Sequence, residues 1–334
     1  MFVFYSLDKE ALKKELLEKG FDNFKEYYNL IVFEKDLEEK NLLKYFLLAY
    51  KLRNLLDFAL LVRDFKELTE IYEFFGIEKS INIKSKVKDK NFIKKIIEKL
   101  KKNGFILDKN SLFDLKILDK NVFYLDLLKN NLSKRFYLKF FENKCLNPII
   151  CQNFIYFLEI ERKKRVVNIK CCLSVFPIEL IFYFLDFPGA FKRRDFSLLK
   201  LFDLEEELNK IDEEAVQKIE RFDEEVFCLS DSTLDVDLSR KVARTVFLES
   251  KINFSKIDLF WIDWKFQEKE IDYLISYINE TKEINDFFYQ AEYLAKNIGL
   301  ISKKEQEVLN LAKKYELNII KKKRVSNLNF FYFI

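Results

Sequence analysis

Apolar and polar positions alternate with two different periods along the first 63 residues. The stretches FVFYSL, YNLIVFE and LLDFALLV are short apolar runs typical of strands. Between them, apolar residues recur every three or four positions over residues 9–19 and 41–52, which predicts two amphipathic helices, the first ending at Gly20. Residues 1–63 are therefore predicted to form a small ferredoxin-like α+β module.

The same alternation continues over residues 64–145. A helical pattern, FKELTEIYEFF, stops at Gly76, and SINIKSKV alternates as a strand does. Asp89 stands where it can cap the helix KNFIKKIIEKLKK, which Gly104 closes. Two more strand candidates, SLFDLKIL and NVFYLDLL, follow in a hairpin-like arrangement. This stretch predicts a second α+β module.

The rest of the chain has the order expected for a parallel sheet. Residues 146–163 predict a linking helix, NPIICQNFIYFLEI, and the charged joint ERKKR. Over residues 164–334 the candidates begin strand, helix, strand, helix, strand: RVVNIKC, VFPIELIFYFL, EEVFCLS, LSRKVARTVFLES and KIDLFWIDW. Then come the strand IDYLISYI, helices through Asn297 and Lys314, and the strands LNIIKKKRV and LNFFYFI. Such alternation predicts an α/β, Rossmann-like domain with a terminal β-hairpin.

Composition removes several classes of site. The chain has no His, which excludes an imidazole zinc site and any Ser-His or Cys-His nucleophile pair. Its five glycines cannot form G-x-G-x-x-G or a Walker loop. No apolar run reaches the roughly 18 residues of a membrane span, and the N-terminus lacks the order of a signal peptide. We expect a cytoplasmic protein that does not associate with membranes.

Charge is unevenly distributed along the chain, although the net charge is only +4. Ten Lys stand against three acids between Lys84 and Lys109, whereas ten acids stand against three basic residues between Leu204 and Glu225. The first segment can attract phosphate and the second would repel it. A solvated lysine surface and an RNA-binding face are both consistent with this pattern. The candidate RNA-binding residues are Lys84, Lys86, Lys94, Lys95, Lys101, Lys102, Lys134 and Arg135.

Weak motifs run through nearly the whole chain in one order. A strand and a helix ending at Gly20 come first, the stretch KLRNLLDFALL follows, and FYLDLLKNNLSKRFY places Asp126 ahead of Lys134, Arg135 and Tyr137. In this order they resemble the THUMP-domain RNA methyltransferases of class I fold, which methylate the exocyclic amine of guanine in tRNA or rRNA. The resemblance implies that residues 64–145 are a THUMP module and residues 164–334 a Rossmann-like methyltransferase domain.

The family's cofactor loop reads D-P-F-C-G-S-G-T, and this chain departs from it. Asn168 replaces the Asp, Lys170 the Phe, and Cys172 and Ser174 the two glycines, while Cys171 agrees. Side chains at the glycine positions obstruct the approach of a cofactor to backbone N–H groups. After the loop, the chain agrees better with the family's sequence pattern. The residues that match this pattern are Pro177, Ile178, Glu179, Pro188, Gly189 and Arg194.

The resemblance also implies a set of site residues. Glu179 would be a cofactor remnant, Asp231 or Asp235 the ribose-binding acid, and Asp263 the acid beside the adenine. The catalytic N-P-P-Y is absent, and only Asn279, displaced and followed by Glu280, could accept a hydrogen bond from a target amine. Each acid also has a structural alternative, as a helix cap, a turn residue or a strand-end charge.

These features lead to three hypotheses. The first is an RNA-binding protein, engaging tRNA or rRNA, whose methyltransferase-like domain is degenerate and serves as a scaffold or as the partner of an active methyltransferase subunit. The second is an active S-adenosyl-L-methionine-dependent guanine-N2 methyltransferase of tRNA or rRNA. The third is a protein-interaction scaffold without RNA. S-adenosyl-L-methionine is the expected cofactor in the second case, and none is expected otherwise.

Overall fold

The computed structural model describes residues 1–27, 30–139, 141, 146–170 and 172–334. Two compact units divide the chain: Met1–Ser133 with Gly189–Lys210, and Lys134–Pro188 with Ile211–Ile334. Gly189–Lys210 therefore belongs to the first unit, although the preceding residues, Lys134–Pro188, already belong to the second unit. The four-part division expected from the sequence stays a prediction.

The first unit contains a mixed sheet with the strand order β2-β3-β1-β4-β8-β7-β5-β6. Its elements are β1 (Phe2–Tyr5), α1 (Lys9–Glu18), β2 (Lys25–Tyr27), β3 (Leu30–Phe33), α2 (Glu39–Lys51), β4 (Asp57–Val62), α3 (Phe65–Phe75), β5 (Ser80–Ser85), α4 (Lys90–Lys102), β6 (Ile106–Leu107), β7 (Phe113–Ile117) and β8 (Phe123–Asp126). Strand β5 pairs in parallel with β6 and β7, and the other pairs are antiparallel.

Local sequence signals fix several ends of these elements. The Asp89 carboxylate accepts the Phe92 N–H at 3.0 Å and begins α4, as predicted. Gly104, after the last turn, has φ +80°, a conformation that glycine adopts without strain. The fully buried Glu15 carboxylate accepts hydrogen bonds from Arg53 and Asn54, so two of the motifs that suggested the family lie in contact.

The second unit contains a seven-stranded sheet with the order β11-β10-β9-β12-β13-β15-β14. Its elements, with α7, which reaches both units, are α5 (Pro148–Leu158), β9 (Val166–Ile169), α6 (Val175–Phe184), α7 (Glu205–Ile219), β10 (Val226–Ser230), α8 (Thr233–Arg244), β11 (Asn253–Lys256), β12 (Ile271–Tyr277), α9 (Thr281–Leu294), β13 (Ala295–Ser302), α10 (Glu305–Lys314), β14 (Ile319–Val325) and β15 (Leu328–Phe333). The first five strands of the order are parallel, and β15 and β14 form the predicted terminal hairpin.

Two predictions for this unit are wrong. Residues 256–264 were expected to form a strand, but β11 ends at Lys256 and Leu259–Trp264 is a 3-10 segment capped by the Asp258 carboxylate. A helix was expected through Asn297, whereas the chain enters β13 at Ala295. Helix α5 packs against β13 at Gly299, where a Cβ would lie 2.8 Å from Leu158.

The return of Gly189–Lys210 to the first unit is held by main-chain and side-chain contacts. Gly189 and Ala190 donate N–H groups to carbonyls of Lys51 and Tyr50, at 3.3 and 3.0 Å. The Arg194 guanidinium donates to the Tyr50 hydroxyl at 2.7 Å. Among the helices that the structure describes, none combines the length and apolar character needed to cross a bilayer.

Candidate cofactor cleft and basic face

The order in which the chain adds strands to the parallel sheet of the second unit reverses between β9 and β12. The chain continues from β9 to β10 on one side, and from β12 to β13 on the other. Ligands of open α/β sheets bind at such a switch point, beyond the carboxyl ends of the strands. The Ser276 hydroxyl, on β12, donates to the Ile169 carbonyl at 2.9 Å and ties the two strand ends together. This edge is the candidate cofactor cleft.

The loop between β9 and α6 keeps an unusual backbone shape without glycine. Lys170, Leu173 and Ser174 have φ of 54°, 52° and 57°, in the left-handed region where a Cβ is strained. Cys171, which matched the family's cysteine, lies outside the described residues. The loop thus has the backbone conformation that glycine favours, with side chains in place.

An ion pair joins the segments that follow the two strands. The Lys170 ammonium, directly after β9, bonds the Glu283 carboxylate on the first turn of α9, which follows β12. Each side chain is about three-quarters buried. The pair spans the carboxyl ends of β9 and β12, at the switch point where open α/β sheets bind ligands.

Two asparagines near these strand ends make hydrogen bonds with main-chain groups of the protein. Asn168, in place of the family's Asp, is buried, and its amide donates to the Ile275 carbonyl at 3.2 Å. Asn279, beyond β12 as expected, accepts the Lys303 N–H at 2.9 Å. This bond uses one of the two acceptor positions of the carbonyl oxygen, and the predicted role of Asn279 toward a target amine stays a prediction.

Glu179 sits in a buried network on α6. Its carboxylate accepts hydrogen bonds from the Arg135 guanidinium at 2.9 and 3.1 Å, from the Tyr137 hydroxyl at 2.6 Å and from the Gln152 amide at 2.7 Å. Burial, and then the charge of Glu179, raise the pKa of Tyr137 well above its usual value. Burial likewise raises the pKa of the Cys151 thiol. The network holds Glu179 as an internal anchor.

Two acids stand at the end of β10, the neighbour of β9. Asp231 follows the strand directly and is exposed. Asp235 donates its N–H to the Ser232 hydroxyl at 3.2 Å, and its carboxylate accepts the Ser230 hydroxyl at 3.4 Å. Asp235 therefore serves the start of α8, as a capping arrangement does. Among the residues that the structure describes, the Asp231 carboxylate at the strand end has no hydrogen-bond or ion-pair partner.

Asp263 lies away from the end of its strand. Strand β11 ends at Lys256, and Asp258, nearer to that end, caps the following 3-10 segment. Asp263 lies late in that segment, exposed between Trp261 and Trp264. Its predicted role beside an adenine stays a prediction.

The candidate RNA-binding residues are divided between the two units. Lys94, Lys95, Lys101 and Lys102 are exposed on α4, and within the described ranges none of the four ammonium groups has a hydrogen-bond or ion-pair partner. Ile96 and Leu100 are buried on the opposite side of the helix. These four lysines define what we call the basic face.

The other four candidates have partners or a different setting. Lys84 pairs with Asp114 at 2.5 Å, and Lys86 donates to the Tyr5 hydroxyl at 2.8 Å. Lys134 is exposed and belongs to the second unit. Arg135 is buried against Glu179, so a side chain that was expected to contact RNA is instead structural. A leucine-rich environment on both sides of its motif is the signal that could have indicated burial.

Sequence reasoning missed Lys170 and Glu283 as a pair. More than a hundred residues separate them, and although Lys170 stands in the cofactor-loop motif, Glu283 belongs to no motif. Ser276 was also missed, because a serine inside a strand carries no sequence signal beyond its register.

Comparisons with known proteins establish the fold. No protein-family model matches the chain, and no curated protein matches its sequence. The crystal structure of SMU.472, a putative methyltransferase complexed with SAH, matches with a TM-score of 0.71 and 17% identity over 99% of this chain and 97% of that one. The structure of a predicted N6-adenine-specific DNA methylase from Listeria monocytogenes str. 4b F2365 matches with a TM-score of 0.74 and 15% identity over 100% of this chain and 95% of that one.

TrmN from Thermus thermophilus matches with a TM-score of 0.63 and 12% identity over 99% of this chain and 98% of that one. All three likenesses run the length of the chain, so they include both units. At these identities they speak for the fold alone. The predicted fold class is confirmed: an α/β chain with an N-terminal mixed sheet and a C-terminal Rossmann-like sheet that ends in an antiparallel hairpin, as in these methyltransferase structures.

Proposed function

We propose that this chain binds tRNA or rRNA through the basic face, and that its Rossmann-like domain is degenerate as a methyltransferase. The observation that carries the proposal is the set of four exposed lysines on α4, without partners among the described residues. An ammonium group that is not already paired loses no ion pair when it meets phosphate, and it releases counterions from the nucleic acid.

The fold likeness and the motifs support the same class of partner. One fold relative is described as a DNA methylase, which favours nucleic acid. RNA is favoured by the resemblance to the THUMP-domain RNA methyltransferases, which includes Lys134 and Tyr137. Lys84 and Lys86 extend the basic face only in part, because both already contact the protein.

The state of the cofactor cleft favours loss of methyl transfer. Side chains stand at the family's glycine positions, Cys172 and Ser174, and the Asn279 carbonyl oxygen already accepts one hydrogen bond from the main chain. The ion pair of Lys170 with Glu283 spans the strand ends. Losing one positioning element costs on the order of 10²-fold in rate, and here several have changed. Such a domain would act as a scaffold or as the partner of an active methyltransferase subunit.

A second candidate is an active S-adenosyl-L-methionine-dependent guanine-N2 methyltransferase of tRNA or rRNA. Asp231 favours it, because this exposed carboxylate follows the second strand of the sheet, where the family's ribose-binding acid stands. SMU.472, with the same fold over the whole chain, is complexed with SAH. S-adenosyl-L-methionine would supply the methyl group, and Asp231 would accept hydrogen bonds from its ribose.

Electrophoretic mobility of a tRNA pool tests the RNA proposal. Changing Lys94, Lys95, Lys101 and Lys102 to Glu should weaken binding by at least about tenfold, since repulsion replaces attraction at several phosphate contacts. The matched control carries the same charge change at exposed lysines of other elements. Those lysines are Lys40, Lys210, Lys282 and Lys313. Equal weakening by both variants, or no shift of tRNA even at low salt, would refute the placement on α4.

Calorimetric titration with S-adenosyl-L-methionine and with its demethylated product separates the two candidates. We expect no heat from the folded wild-type protein. Micromolar binding would support the second candidate, and Asp231→Asn should then reduce it. The variant Glu283→Gln, which breaks the ion pair with Lys170 but leaves the loop intact, shows whether that pair alone closes the cleft.

A further inference from the structure

Five large aromatic side chains are exposed on two neighbouring elements of the second unit, the 3-10 segment Leu259–Trp264 and helix α9. Phe260, Trp261 and Trp264 come from the 3-10 segment, and Tyr289 and Tyr293 from α9. We call these five the aromatic patch. The Phe260 and Tyr289 rings stack at 5.9 Å, and the Trp261 and Trp264 rings lie 4.7 Å apart. Trp264 is 77% exposed.

The patch is ordered and is not required to complete the core. The Gln290 amide donates to the Phe260 carbonyl at 2.6 Å, which fastens the 3-10 segment to α9. Beneath it, Leu259, Ile262 and Phe287 are buried and belong to the apolar core of the sheet. Single exposed apolar residues are common, but a contiguous group of large aromatic side chains marks an interaction site.

Carboxylates without partners accompany the rings. Asp263 lies between the two tryptophans, and Glu292 lies between the two tyrosines on α9. Both are exposed, and in the described part of the chain neither carboxylate has a hydrogen bond or an ion pair. A ligand that approaches the patch therefore meets aromatic faces and negative charge.

The nearby cations are engaged elsewhere. The Lys265 ammonium donates to the Ser255 hydroxyl and lies 5.6 Å from the centre of the Phe227 ring. The Lys269 ammonium donates to the carbonyls of Glu292 and Ala295, at 2.7 and 2.9 Å, at the end of α9. In the described part of the chain, neither ammonium forms a hydrogen bond or an ion pair with the Asp263 or Glu292 carboxylate.

We propose that the aromatic patch is a docking surface for a protein partner that presents arginine or lysine side chains. A guanidinium stacks on the face of Trp or Tyr, and a neighbouring carboxylate completes its hydrogen bonding. Trp and Tyr are also the residues that dominate binding energy in protein interfaces. RNA is the less favoured occupant, because Asp263 and Glu292 repel phosphate. This proposal stands apart from RNA binding on α4, and it gives Asp263 a role other than the one beside an adenine that the resemblance implies.

Intrinsic fluorescence reads this surface without a label. The chain contains two tryptophans, Trp261 and Trp264, and both belong to the patch. The probe is a short peptide in which arginine alternates with glycine, compared with the same peptide carrying glutamine for arginine. We expect a saturable shift of tryptophan emission to shorter wavelength with the arginine peptide, and none with the glutamine peptide.

Two variants with matched controls test the assignment. Trp264→Ala should weaken binding of the arginine peptide about tenfold, and the emission of Trp261 then reports the binding. Leu234→Ala, at an equally exposed apolar residue on α8, should leave the affinity unchanged. Asp263→Asn should weaken binding several-fold, whereas Asp237→Asn, at an exposed acid of α8, should not.

Three outcomes would overturn the proposal. If the tryptophan emission stays constant up to millimolar concentrations of the arginine peptide, the patch does not bind ligands that present arginine. A stronger response to a single-stranded oligonucleotide than to the arginine peptide would assign the rings to nucleobases. Concentration-dependent dimerisation in sedimentation velocity, abolished by Trp264→Ala, would assign them to a second copy of this chain.

Discussion

At the scale of single residues, the buried carboxylates of the first unit are the most unusual groups. Asp57 and Asp126 lie on neighbouring strands, and the Lys116 ammonium reaches them at 2.7 and 2.9 Å. Burial, and then the charge of Asp57, raise the pKa of Asp126 to about 6, although Lys116 acts in the opposite direction. Burial of the Asp126 carboxyl, with a second buried acid close by, therefore raises its pKa more than the single shared cation lowers it.

This shift predicts a pH dependence of stability. The folded pKa of Asp126 lies above the unfolded value, so the native state binds the proton more tightly. The contribution of this group is complete below pH ~4 and is lost as the pH rises through about 6, at about 1.4 kcal/mol per pKa unit, or ~3 kcal/mol in all. Urea unfolding at pH 4.5 and 7.5 should show a smaller difference in Asp126→Asn than in the wild type. Asp237→Asn, at an exposed acid, is the control and should keep the wild-type difference. A variant with unchanged pH dependence would contradict this account.

The network of Glu179 separates a structural role from a cofactor role. Breaking one partner of a buried ion pair costs roughly 3–5 kcal/mol, because the other charge is left uncompensated. Arg135→Ala should therefore lower the free energy of unfolding by about that amount, and Tyr137→Phe by about 1–3 kcal/mol. Both follow from urea titrations. If Glu179→Gln left stability intact but changed binding of S-adenosyl-L-methionine, the carboxylate would be a ligand group after all.

Contacts of this kind limit what the sequence can predict at the residue scale. Asp89 and Gly104 were placed correctly, because capping is decided within a few residues. Arg135 was expected on the surface, because its partner Glu179 lies 44 residues further along the chain and no local pattern links the two. The pairing of Lys170 with Glu283 depends on the crossing of two strands, which only the folded sheet determines.

At the scale of elements, the loop between β9 and α6 carries backbone strain. Leu173 and Ser174 hold left-handed conformations that cost a side-chain-bearing residue about 1–2 kcal/mol each. Glycine avoids this cost but loses about 0.5–1 kcal/mol through chain entropy. Ser174→Gly should therefore raise the free energy of unfolding by up to about 1 kcal/mol, measured by urea titration. Ser174→Ala, which removes the hydroxyl and keeps the Cβ, should give no gain, and a gain in both variants would remove strain as the cause.

Predictions of whole elements failed where one pattern fits two structures. The apolar run of residues 256–264 resembles a buried strand, yet β11 ends at Lys256, and Ile257 adds one more main-chain bond to β10 by donating its N–H to the Ser230 carbonyl at 2.8 Å. After that, Asp258 begins a 3-10 turn by accepting the Phe260 N–H. At β13 the helical pattern of α9 runs without a break into Ala295, so periodicity alone does not mark the boundary.

At the scale of the whole molecule, the fold and the chemistry have different origins. Alternating strands and helices predicted both sheets, because layer architecture follows from periodicity. The switch point between β9 and β12 is common to open α/β folds, whether or not a ligand binds there. The side chains that occupy it here, Lys170 and Glu283, pair with each other, and the proposed RNA binding through α4 does not require them.

Salt dependence of RNA affinity is the prediction that belongs to the whole molecule. Each phosphate contact contributes about −0.7 to −0.9 to the slope of log K against log salt concentration. Neutralising Lys94, Lys95, Lys101 and Lys102 to Gln should therefore make the slope shallower by about 3, if all four touch phosphate. The control neutralises Lys40, Lys210, Lys282 and Lys313 and should keep the wild-type slope. Fluorescence anisotropy of a labelled tRNA over a salt series measures both. A slope that changes equally in the two variants would mean that net charge, and not the face of α4, attracts the RNA.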